Sequence, residues 1–131
     1  MARSVTTFLM FEGAAEAATK FYVSLFPNSA IQVLEHFGPG EGGPEGKVKR
    51  CEFTLAGHPL KSFDSPVHHQ FTFTPAVSLF VECDSESELD AAFQQLSGGG
   101  QVLMPPDNYG FSRKFTWCND RFGVSWQLNL S

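Results

Sequence analysis

The stretch Lys114–Leu130, KFTWCNDRFGVSWQLNL, reads as two strands joined by a turn, and an earlier stretch repeats its plan. Phe115-Thr116-Trp117 alternates, Asn119-Asp120 and Gly123 supply turn chemistry, and Val124, Trp126, Leu128 and Leu130 fall on one face of a period-two strand. The other face of that strand carries Ser125, Gln127 and Asn129. Upstream, EFTLAGHPLKSFD (Glu52–Asp64) runs the same course: Phe53-Thr54 matches Phe115-Thr116, Gly57-His58 takes the turn, and Ser62-Phe63-Asp64 matches Ser125-Trp126-Gln127. Two copies of one unit are expected.

Outward from these two pairs the same order repeats. Val5–Phe11 is strand-like, with Thr7, Leu9 and Phe11 on one face and Phe8 and Met10 on the other. Helical spacing of Ala14, Ala18, Phe21 and Leu25 follows between about residues 12 and 26, ended by Pro27-Asn28, and Ala30–Phe37 alternates as a second strand. In the second half Ala76–Cys83 reads as a strand, Asp84–Leu96 as a helix with Ser85-x-x-Glu88 as capping box, and Gln101–Met104 as a short strand. The result is β-α-β-β-β twice, an α+β chain whose half-units cover about residues 1–64 and 76–131 of one domain.

The alternation, with helices on one face of each sheet, assigns Phe8, Met10, Phe63, Leu79, Val81, Trp126 and Leu128 to the core. Thr7, Asp64, Ser78 and Gln127 then share the opposite face, with Leu9 and Phe80 in phase beside them, and these six are the expected contacts for a small-molecule ligand. Two loops break the pattern: Gly38–Gly46, expected to be mobile and to lie over one end of the pocket, and Pro105–Arg113.

The chain has 131 residues, enough for one core of ordinary size. Its formal net charge of -5 gives a nucleic-acid or anionic-membrane partner no electrostatic footprint. Cys51, Cys83 and Cys118 are an odd number in no C-x-x-C pair, which argues for buried thiols in a reducing compartment. No window approaches the length of a membrane span, and a cytoplasmic protein is expected. Most of the 14 Phe are read as core, and the apolar surface that they leave over predicts a homodimer with an isologous interface.

The order and spacing of Thr6–Phe11, Phe21-Tyr22, Ser62-Phe63-Asp64, Ala76–Leu79 and Asp120–Leu128 resemble the vicinal oxygen chelate superfamily of glyoxalase I, the bleomycin-resistance proteins and the extradiol dioxygenases. Within it these motifs are similar to the PhnB-like branch, which carries the label 3-demethylubiquinone-9 3-methyltransferase domain. The resemblance implies a glyoxalase/bleomycin-resistance-type fold and a pocket on the concave sheet face. It also implies a metal held by one residue from each of four strands, and those positions here are Thr7, Asp64, Ser78 and Gln127. One carboxylate, one amide and two hydroxyls are a poor set for zinc or iron, so no metal and no cofactor are expected. The glycines cluster at residues 38–46 and 98–100, not between a strand and a helix, so the methyltransferase label is not read as methyl transfer.

Other titratable residues have plainer readings. His68-His69 lies four residues after Asp64, but adjacent residues of an extended segment point apart, and a surface linker is expected. His69 with Asp64 stays as a weak acid–base candidate. Arg113, Lys114 and Arg121 read as a solvated rim, and Tyr109, Phe111 and Trp117 as a pocket wall, core or dimer contact. Three outcomes stay open: a metal-independent binding protein or enzyme, a drug- or metabolite-sequestering protein, and a metal-dependent lyase or dioxygenase.

Overall fold

The computed structural model describes residues 1–131 and divides into two compact units, Met1–His69 and Gln70–Ser131. The first contains β1 (Thr7–Phe11), α1 (Ala15–Leu25), β2 (Ala30–His36), β3 (Val48–Leu55) and β4 (His58–Asp64). The second contains β5 (Leu79–Glu82), α2 (Glu86–Ser97), β6 (Gln101–Asp107), β7 (Lys114–Asn119) and β8 (Ser125–Leu130). The β-α-β-β-β order is therefore met twice. Each unit is a four-stranded mixed sheet, ordered β1-β4-β3-β2 in the first and β5-β8-β7-β6 in the second. In each, the first and last strands run parallel and the remaining pairs antiparallel. No helix is long and apolar enough to cross a membrane.

An 11-residue helix such as α1 is marginal in water by itself. Packing holds it in place. Ala15, Ala18, Thr19 and Tyr22 are fully buried, as the strand residues Leu9, Phe11, Val48, Phe53 and Leu60 are buried, and Thr19 Oγ1 lies 2.9 Å from Ser62 Oγ of β4. In the second unit α2 buries Leu89, Ala92 and Leu96 with Trp126, Leu128 and Leu130. Its N-terminus is capped as the sequence suggests: Glu88 N donates to Ser85 Oγ at 3.2 Å, and Glu88 Oε1 accepts from Asp84 N at 2.9 Å.

The assignment of faces needs one correction, in the first unit. Ser62 and Asp64 lie on the α1 side with Leu60, and β1 pairs Leu9 with Ser62 and Phe11 with Asp64, so Leu9 and Phe11 face α1 as well. Thr7, paired with Leu60, shares their phase. Phe8, Met10 and Phe63 point to the helix-free face instead; Phe8 is 57% exposed and its ring sits 5.3 Å from that of Phe63. The cause is turn length. Two residues, Ala56 and Gly57, separate β3 from β4, whereas Asp120–Val124 separate β7 from β8. The difference is odd, so matching the hairpins by their sequence motifs slips one strand by an odd number and reverses every side chain on it. The second unit follows expectation: Trp126 and Leu128 pack under α2, and Leu79 and Val81 pair with them.

The first turn also sits one residue earlier than expected. Ala56 and Gly57 both take positive φ, 48° and 85°, which suits a two-residue hairpin, and His58 already belongs to β4. Strand β6 is longer than expected and runs through Pro105-Pro106, which an edge strand with shifted register tolerates. The Gly38–Gly46 loop is anchored by the residue just before it. Phe37 is 8% exposed, its ring lies where a Cβ on Gly43 would be, and its backbone pairs with Lys47 and Gly46 at 2.9 Å each.

Candidate functional site

Asp64 ends β4 beneath the start of α1, and its carboxylate is spent on the fold. Oδ1 accepts the N–H of Gly13 at 2.7 Å and of Ala15 at 3.0 Å, while Oδ2 accepts the N–H of Val48 at 2.9 Å. The residue is 1% exposed. Helix α1 has no capping side chain of its own, since Ala14 stands at that position, so Asp64 supplies the anion that the free N–H groups require.

The histidine pair is tied to the same unit. His68 Nδ1 lies 2.8 Å from Glu12 Oε1, His69 N donates to Glu12 Oε2 at 3.3 Å, and His69 Nε2 lies 3.1 Å from Ser65 Oγ. The hydrogen bond from His68 holds the Glu12 carboxyl below its ordinary range. Asp64 and His69 thus engage different partners, and Thr7 Oγ1 lies 3.0 Å from His58 Nε2.

The helix-free face of the second sheet is different, because its polar side chains form a row. Gln127 Nε2 donates to Ser78 Oγ at 2.7 Å. Asn129 Nδ2 donates to Glu82 Oε1 at 2.6 Å, and Ser131 Oγ donates to Glu82 Oε2 at 2.9 Å. Trp117, paired across the sheet with Gln127, donates its Nε1–H to Ser125 Oγ at 2.9 Å. Aromatic rings stand beside the row. Phe80 is 55% exposed on β5. Phe115, paired with Asn129, is buried under Tyr109 and Phe111, whose rings meet it edge-on at 6.1 and 5.0 Å. The structure therefore brings Ser78, Phe80 and Gln127 together on one face, and places Thr7, Leu9 and Asp64 on the helix side of the first sheet.

The six expected ligand contacts leave out Glu82 and Asn129. Both lie in phase with Phe80 and Gln127, and that phase was the available signal. Asn129 is 7% exposed, and its Oδ1 has no hydrogen-bond partner.

Two cavities open on the helix sides, at the N-termini of α1 and α2, with volumes of about 360 and 330 Å³. Their charges are largely paired internally: Lys20 with Glu16, and Lys114 with Glu86 at 3.0 Å and Asp90 at 2.8 Å. The four strand positions at which the superfamily binds metal do not fit one here. Both Asp64 oxygens already accept backbone N–H groups, the Ser78 hydroxyl accepts the Gln127 amide, and Thr7 brings a neutral hydroxyl. No three His, Cys, Asp or Glu side chains converge elsewhere as a metal set.

A family model described as 3-demethylubiquinone-9 3-methyltransferase matches residues 3–129. Among solved structures, a putative 3-demethylubiquinone-9 3-methyltransferase, PhnB protein, from Bacillus cereus is 50% identical with a TM-score of 0.95, covering 98% of this chain and 100% of that one. Protein PA1353 from Pseudomonas aeruginosa, 23% identical, superposes with a TM-score of 0.86 over 99% of this chain and 98% of its own. A glyoxylase/bleomycin resistance protein/dioxygenase domain from Frankia sp. EAN1pec, 14% identical, has a TM-score of 0.65 and is covered over 93% of its length by 100% of this chain. The last two are likenesses of fold. No curated protein matches the chain.

Proposed function

We propose, for a chain that belongs to the 3-demethylubiquinone-9 3-methyltransferase family and with it to the PhnB-like branch of the vicinal oxygen chelate superfamily, that it binds a small molecule on the helix-free face of its second sheet. The carrying observation is the half-buried Ser78–Gln127 hydrogen bond beside the exposed ring of Phe80, a polar anchor next to an apolar wall. The ligand is held without the superfamily's metal, because the Asp64 carboxylate is committed to three backbone N–H groups. Sequestration of a metabolite or drug, as in the bleomycin-resistance proteins, fits these groups better than a metal-dependent lyase or dioxygenase. The protein works in the cytoplasm as a homodimer.

A thermal-shift screen of small metabolites followed by titration tests the site. A hit whose affinity falls about tenfold in Gln127→Ala and Phe80→Ala supports it. Hits that ignore both substitutions sink it. Sedimentation across micromolar concentrations tests the dimer, and a monomer throughout removes that part.

A further inference from the structure

The donors and acceptors on the helix-free face of the second sheet are unevenly spent. Each N–H-bearing side chain near its centre points at a neighbour: Gln127 to Ser78, Asn129 to Glu82 and Trp117 to Ser125. Acceptors are left over. The Glu82 carboxylate is exposed and takes only one amide and one hydroxyl, and the Asn129 amide oxygen is buried with no partner at all. A buried acceptor without a donor costs on the order of 1 to 3 kcal/mol, and the exposed Glu82 carboxylate beside it is the acceptor a ligand can reach.

Charge agrees. The charged side chains that the strand registers place on this face are Glu82, in phase with Asn129, and Asp107, paired with Phe115; both are acidic. The cations of the second unit engage other groups. Lys114 reaches Glu86 and Asp90 of α2, Arg113 donates to the Ser131 carbonyl and lines the cavity at the α2 N-terminus, and Arg121 lies 4.5 Å over the Phe122 ring. Phe80 is the open aromatic surface beside the carboxylate, and aromatic faces attract cations.

We infer that this face takes a cationic, N–H-bearing ligand with a flat apolar body, such as an amidinium or an arylalkylammonium. Glu82, held in place by the Asn129 amide, receives its charge, and Phe80 covers its ring. The inference rests on the proposed binding face and narrows what that face selects.

Three probes of one shape and different charge test it: benzamidinium, benzamide and benzoate, each titrated while the side-chain amide signals of Gln127 and Asn129 are followed by ¹H–¹⁵N NMR. Benzamidinium should bind about tenfold more tightly than benzamide, and benzoate least, as a charge-assisted hydrogen bond plus a cation–ring contact implies. Glu82→Gln, which keeps the side chain's size on an exposed strand position, should abolish the preference for benzamidinium over benzamide. Equal binding of the three probes, or a preference that survives Glu82→Gln, overturns the cationic class while the binding face stands. Amide signals indifferent to all three probes overturn the class and the face together.

Discussion

Asp64 Oδ2 accepts the backbone N–H of Val48 at 2.9 Å, which ties the end of β4 to the beginning of β3 with a side chain rather than a ladder bond. The second unit uses the same device at its β7–β8 turn. Asp120 Oδ1 accepts the N–H of Phe122 at 2.8 Å and of Val124 at 3.1 Å, and its Oδ2 accepts the indole N–H of Trp126 at 2.9 Å. Each unit thus buries one aspartate, 1% and 3% exposed, and surrounds it with three N–H donors. Such a carboxylate is paid for by its donors, so it stabilises only while all three are present.

Asp64→Ala should therefore cost on the order of 3 kcal/mol, because three buried N–H groups lose their acceptor and α1 loses its cap. Asp64→Asn keeps one acceptor oxygen and should cost about half as much. Urea unfolding of both variants measures this. A loss below about 1 kcal/mol for the alanine variant would mean that the carboxylate is not holding these segments together.

Trp126→Phe removes the indole donor to Asp120 while keeping a ring in the core, and should cost about 2 kcal/mol in the same assay. If the hydrogen bond carries the effect, Asp120→Asn combined with Trp126→Phe will cost less than the sum of the single changes. Strict additivity would show that the two side chains act independently.

Much of this was readable in the chain. The repeat, the element order, the capping box at Ser85 and the faces of β5 and β8 follow from apolar alternation and turn residues. The faces of β1 and β4 did not, because alternation fixes two opposite faces but not which one a helix covers, and the unequal hairpin turns hid the shift. Asp64 was misplaced for a further reason. A carboxylate near Thr, Ser and Gln looks the same in sequence whether it awaits a ligand or caps a helix, and its donors come from residues 13, 15 and 48, which only folding brings together. Glu82 and Asn129 were visible in phase with Phe80 and Gln127 but lacked any motif to mark them.

The cysteines give a pH dependence with a definite sign. Burial pushes the Cys83 and Cys118 thiols from 9.0 up to about 11, and raises Cys51 as well. The folded state keeps protons that the unfolded chain loses, so this contribution is fully present below pH 9 and is lost as pH rises from about 9 through 11. Stability should fall across that window, and the fall should be shallower in a Cys83→Ala, Cys118→Ala variant. At pH 8 the native protein should react slowly with a thiol reagent such as dithionitrobenzoate, and all three cysteines should react at once in guanidinium. Rapid labelling of the native chain would contradict the burial.

Two glycine substitutions separate backbone contact from backbone conformation. At Gly100, just before β6, a Cβ would lie 2.0 Å from the carbonyl oxygen of Asn119 and 2.9 Å from the carbonyl carbon of Asp120. Those atoms belong to the strand end and turn that pair with β6, where Gln101 faces Asn119, so they have no side-chain freedom to yield. Gly100→Ala should cost about 2 to 3 kcal/mol by forcing β6 and β7 apart. Gly40, in the loop after β2, has φ of 75° and open space around its Cβ position, so Gly40→Ala meets only the left-handed conformation and should cost about 1 kcal/mol. Chemical denaturation ranks the two, and hydrogen exchange locates the difference. Gly100→Ala should loosen amides along β6 and β7, whereas Gly40→Ala should leave both sheets as they are. A Gly40 variant as unstable as the Gly100 variant would show that backbone conformation, and not the approach of β6 to the β7–β8 turn, sets the cost.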